Sequence, residues 1–110
     1  MDVDQVAELA REIELLTRRL RDLGPARLAV RRRAGAVADD AHALAQRLAD
    51  EAADLLGEAR RDVPRLGDHA VADQVAVTGR ELLEALAGQH AGQQAAAIRR
   101  DVQALRGSLP

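Results

Sequence analysis

The chain's three histidines, His42, His69 and His90, are the residues best suited to proton transfer or metal ligation near neutral pH. Their spacing gives them few partners. None stands in a His-Glu-x-x-His motif, and none has a second histidine three or four residues away. Asp39 precedes His42 by three, so the two share one helix face, yet a metal would need two more ligands from another element. The Glu-x-x-His pairs of di-iron bundles are missing, because no glutamate precedes a histidine by three. The glycines are scattered and lysine is absent, which excludes a Walker-type phosphate loop. Thr17 and Ser108 have no setting that would make them nucleophiles. No catalytic, cofactor or metal site is expected, and the chain reads as non-enzymatic.

Arginine offers a different chemistry. RRLRDLGPARLAVRRR, residues 18–33, holds seven arginines (Arg18, Arg19, Arg21, Arg27, Arg31, Arg32 and Arg33) against one acid, Asp22. Guanidinium forks match phosphate geometry, so an anion- or nucleic-acid-binding role is one reading. Three features oppose it. No aromatic residue is present to stack on a base, the formal net charge is −2, and the following helix is long and alanine-faced where a readout helix would be short and polar. Acidic blocks flank the arginines: Asp2, Asp4, Glu8, Glu12 and Glu14 on one side, Asp39, Asp40, Asp50, Glu51, Asp54 and Glu58 on the other. The arginines therefore also suit an acidic surface of the chain itself or of a protein partner.

These residues need helices to position them. Ala, Leu, Arg, Glu and Gln dominate, and no period-two run of strand length occurs. The expected fold is all-α: a three- or four-helix antiparallel bundle, or a long helical hairpin with coiled-coil-like packing, in one domain over residues 1–110. Helix 1 is predicted over about 3–22, with Asp2 or Asp4 as its cap, and stops at Gly24-Pro25 through a left-handed glycine. Helix 2 is predicted over about 26–62, with Gly35 and Gly57 inside it. Residues 64–68, PRLGD, form the main turn, with Asp68 as the next N-cap. Helix 3 is predicted over about 69–87. A fourth helix, or its continuation past a bend at Gly88 and Gly92, covers about 91–106.

Apolar periodicity supports those elements. In helix 1, Val6, Leu9, Ile13, Leu16, Leu20 and Leu23 recur at alternating spacings of three and four, a heptad register. Such a stripe suits a two-stranded seam with a partner helix, or packing within the chain. Helix 2 carries Val30, Ala34, Val37, Ala41, Leu44, Leu48 and Leu55, flanked by Ala38, Ala45, Ala49 and Ala52. Val71, Val75, Leu82 and Leu86 line helix 3; Ala91, Ala95, Ile98, Val102, Leu105 and Leu109 line the last segment.

Composition sets the remaining bounds. Of 110 residues, 24 are alanine, 16 leucine, nine valine and two isoleucine, so the core is built from small side chains. Cysteine, aromatics, lysine and asparagine are absent, which excludes disulfides and matches the codon usage of a GC-rich bacterial genome. No apolar run approaches the ~20 residues of a membrane span. The acidic start MDVDQ has no hydrophobic signal region, so a cytoplasmic location is expected, with signal-less secretion left open.

The opening MDVDQVAELAREIELL, followed by Ala/Leu-rich helices around a short turn, resembles the small helical-hairpin proteins of type VII secretion. That resemblance implies a helical hairpin with a secretion-associated role. PRLGD stands where the family has Trp-x-Gly, and its Tyr-x-x-x-Asp/Glu signal has no counterpart in a chain without tyrosine, so no functional residue carries over. The leading expectation is a non-enzymatic helical protein–protein interaction module, self-associating or pairing with a helical partner through the helix 1 stripe. The alternatives are anion or nucleic-acid binding by the arginine block and the secretion-associated hairpin. No cofactor and no membrane contact are expected.

Overall fold

Four long helices carry the stripes. In a computed structural model, residues 2–32, 35–87 and 91–110 are described. Helix α1 spans Asp2–Asp22, the single turn α2 Pro25–Leu28, α3 Val37–Leu56, α4 Val71–Leu86 and α5 Gly92–Ser108. A short hairpin, β1 (Arg31–Arg32) paired antiparallel with β2 (Gly35–Ala36), precedes α3, and a 3₁₀ turn, Asp68–Ala70, precedes α4. The molecule is an all-α helical bundle measuring 40 × 27 × 22 Å.

Side-chain pairs between helices fix their directions. Arg21 meets Asp73, and Gly79 lies against Ile13, so α1 and α4 run antiparallel. Arg99 meets Glu8 and Arg106 meets Glu12, so α1 and α5 run parallel. Arg47 meets Asp101 and Arg32 bonds Ser108, so α3 and α5 run antiparallel. Asp39 and Asp68 share Arg65, while Ala52 and Leu56 share a cleft with Glu81 and Ala85, so α3 and α4 run parallel.

The core takes one stripe from each long helix. Leu9, Leu16 and Leu20 of α1, Val37 and Leu48 of α3, Val75, Leu82 and Leu86 of α4, and Ile98 and Val102 of α5 are almost wholly buried. Five alanines of α3 (Ala38, Ala41, Ala45, Ala49 and Ala52) are also buried, which lets α4 approach closely. Gly79 does the same for α1 and α4: a Cβ there would stand 2.8 Å from Ile13 Cγ2.

The predicted helix over 26–62 is corrected at both ends. Its first part is a one-turn helix and a hairpin, in which Gly35 sits at φ +134°, a conformation closed to a helix. Val30 is accordingly half exposed, outside the core stripe; Ala34 and Arg33 lie outside the described residues. Its last part ends at Gly57, which is left-handed (φ 68°) and forms a Schellman cap: Glu58 N–H donates to Ala53 O at 2.9 Å and Gly57 N–H to Asp54 O. Glycine inside a helix costs stability, and glycine just past one closes it; here Gly57 closes α3.

Residues 57–67 then form an extended strap rather than a helix followed by a tight turn. Twenty residues of α3 rise about 30 Å, and eleven extended residues reach about 36 Å, so the strap returns the chain to the start of α3 and α4 departs parallel to it. Two smaller expectations also change. Gly24 is extended (φ −75°) and caps α2, with Pro25 in its first turn. Asp68 makes no side-chain cap but accepts from Arg65 at 2.9 Å. Helices α4 and α5 are separate: Ala87 is extended (ψ 127°) after α4, and α5 starts at Gly92; Gly88 lies outside the described residues.

Candidate functional site

The helix 1 stripe is turned inward. Leu9, Ile13, Leu16, Leu20 and Leu23 are buried in the chain's own core, with Val6 packed at its edge. Of the two readings of that stripe, packing within the chain is the one these residues follow, because α4 and α5 both cover that face.

The arginine block gathers at one end of the bundle, where α1 and α5 finish and α3 and α4 begin. It does not form one surface. Arg18 pairs with Glu14 one turn back at 2.7 Å. Arg19 donates to Pro110 O at 3.0 Å, and Arg21 pairs with Asp73 at 3.1 Å. Arg32 pairs with Asp40 and donates to Ser108 O at 2.7 Å, tying the hairpin to α3 and α5. Arg27 and Arg31 are exposed, and Arg31 faces Asp39. Arg33 lies outside the described residues.

The residues singled out for chemistry are tied into the fold. Thr17 is buried and donates to Ile13 O at 2.8 Å; Ser108 donates to Leu105 O at 2.8 Å. Asp39 and His42 do not act as a pair. Asp39 accepts from Arg65 at 3.1 Å, while His42 Nε2 meets Val63 O at 2.9 Å and must donate there, since a carbonyl only accepts. His69 is exposed beside Arg21, Asp68 and Asp73, in a cleft of about 580 Å³ at the arginine end. No cluster of three metal-ligating side chains occurs among the described residues, and His90 lies outside them. No described helix is long and apolar enough to cross a membrane.

The strap is the site that the sequence reading missed. Gln46 of α3 holds it through both ends of its amide: Nε2 donates to Arg61 O at 2.9 Å, as well as to Asp50 Oδ1 at 3.0 Å, and Oε1 accepts from Val63 N–H at 2.7 Å. Those two backbone groups flank Asp62 and point the same way in an extended chain, so one glutamine replaces a neighbouring strand. His42 takes Val63 O, and Gln74 of α4 donates to Pro64 O at 2.7 Å. No known protein family matches this chain, nor does any curated protein or solved structure.

Arginines complete the hold. Arg60 reaches Asp54 through two hydrogen bonds of 3.0 and 2.7 Å and lies 3.8 Å from Asp50. Arg61 grips both oxygens of Glu81 at 2.9 and 2.7 Å, and Arg65 bridges Asp39 and Asp68. The hydrogen bonds from Arg60 and Arg65 hold the Asp54 and Asp39 carboxyls below the ordinary aspartate range. Hydrogen bonds to Asp54, Glu81 and Asp39 in turn raise the pKa values of Arg60, Arg61 and Arg65. One sequence signal pointed here. The last turns of α3 hold Asp50, Glu51 and Asp54 and no base in the final turn, an unfavourable charge at a helix C-terminus that needs cations from elsewhere.

Beside the strap, α4 leaves apolar surface uncovered. Leu66 and Val77 are each 54% exposed and, with Val63, Pro64 and Ala70, line a cleft of about 360 Å³. Gln74 Oε1 in its wall is buried and has no hydrogen-bond partner.

Proposed function

We propose that the protein is a non-enzymatic helical interaction module that self-associates through the outer face of α4 and the adjoining strap. The observation that carries this reading is the pair Leu66 and Val77, both more than half exposed on a shared cleft. The charge pattern favours a second copy as the occupant. The exposed face of α4 reads Asp73, Val77, Arg80 and Glu84. An isologous contact about a two-fold axis at Val77 brings Asp73 of each copy toward Arg80 of the other. The orphaned acceptor of Gln74 would then lie at the contact, where a donor can satisfy it.

The phosphate-binding alternative loses its main support, since Arg18, Arg19, Arg21 and Arg32 have partners within the chain. The secretion-hairpin alternative gains none from helices α3 and α4 that run parallel. Sedimentation equilibrium tests the proposal. Wild type should weigh as a dimer, and Val77→Glu as a monomer with unchanged helicity. A monomeric wild type at about 100 μM, weaker than most specific interfaces, would sink it.

A further inference from the structure

The strap lies on the outer groove between α3 and α4 as a bound peptide would. Its backbone is read by Gln46, His42 and Gln74, and its arginines are read by carboxylates of both helices. We propose that this groove is a binding site for an extended, arginine-bearing segment of a partner protein, and that the chain's own strap occupies it in cis.

Three observations carry this inference beyond self-association on α4. First, the groove is chemically ordered along its length. Asp50, Asp54 and Glu81 stand toward one end, and Asp39 with Asp68 at the other. The strap answers with Arg60, Arg61 and Arg65 around Val63-Pro64, so the groove selects an Arg-Arg-x-x-Pro-Arg pattern in an extended chain. Second, the backbone contacts come from side chains and read any sequence at that position, as in strand-like peptide recognition. Third, the strap is removable. None of residues 57–67 is buried, and Val63, half-buried, reaches deepest. Exposed ion pairs hold weakly, so this segment opens more readily than any core helix.

An occupant of the same chemistry would also satisfy the acids at the end of α3, which otherwise face a helix C-terminus without a cation. The tether gives the strap a high effective concentration, so a competitor gains most when the strap's arginines are gone.

The test uses a fluorescent peptide of residues 57–67 and the full chain. Arg60→Ser/Arg61→Ser/Arg65→Ser releases the strap and should bind the peptide at least about tenfold more tightly than wild type, by anisotropy. Adding Gln46→Ala and His42→Ala should abolish that gain. No binding by a folded released variant would overturn the proposal, as would binding that ignores Gln46 and His42. A second variant, with residues 58–66 rewritten as Gly and Ser, guards against misfolding of the first. Loss of helical circular dichroism in both would make the strap a structural staple and end the proposal.

Discussion

The bundle contains two parallel helix pairs, and they are held together differently. In the pair α1 and α5, the cations belong to a helix: Arg99 and Arg106 reach directly to Glu8 and Glu12 across the interface. In the pair α3 and α4, the cations belong to the strap, and no arginine of either helix bridges the two among the described residues. The first set is partly shielded, with the Glu12 side chain 12% exposed; the second lies open, with Arg60 and Arg61 above 60%. The same guanidinium–carboxylate chemistry therefore locks one pair and only latches the other. Covalent direction explains the difference. Helices α3 and α4 are consecutive and parallel, so a long connector has to run back beside them, and it is available to carry the charge.

The largest effect should come from the core beneath both pairs. Leu16 is fully buried, so Leu16→Ala should cost about 2–5 kcal/mol in chemical denaturation. An equal loss of stability with no change in oligomeric mass is the expected result. A mild effect on stability with loss of association would mean that α1 is a seam after all, and would reverse the assignment of inner and outer faces.

That assignment marks how far the sequence could be read. The heptad stripe of α1 was legible as an apolar face, and the helices over 2–22, 71–86 and 92–108 were legible within a few residues. Which surface the stripe meets was not, since spacing alone does not say whether the facing helix lies in the same chain. Helix formers at 58–61 disguised the strap, because Glu, Ala and Arg favour helix wherever nothing stops it. Gly57 was the stop, and its role depends on φ +68°, which a one-letter code does not display. The strap contacts were harder still. Gln46 and Gln74 are ordinary surface residues in sequence, and only the return path of the chain brings backbone carbonyls to them.

A middle-sized effect should separate the two pairs. Glu12 accepts from Arg106 Nε and Nη2 at 3.1 and 2.9 Å in a half-buried setting. Glu12→Ala leaves that guanidinium poorly paired and should cost about 1–2 kcal/mol by denaturation. The loss should persist in high salt, because screening acts less on shielded pairs. A penalty that vanishes in 1 M salt would show that the α1–α5 pair is latched no more firmly than the strap.

The smallest effect is local and depends on pH. Asp39 and Asp54 have folded-state pKa values below the ordinary aspartate value of about 3.9. A depressed carboxylate contributes its hold fully above that value and loses it as pH falls through the lower, folded value. Arginines stay charged throughout, so the strap's ion pairs lose their hold through the carboxylates. Release is therefore expected below about pH 4, while the apolar core of α1 and α5 stays folded. The Val63 amide reports it directly, since its only described acceptor is Gln46 Oε1. Its exchange, corrected for the intrinsic pH dependence, should accelerate below pH 4 before amides in the middle of α1 do. If Val63 and α1 lose protection together, the strap is part of the cooperative core, and the contrast between a locked pair and a latched pair does not hold.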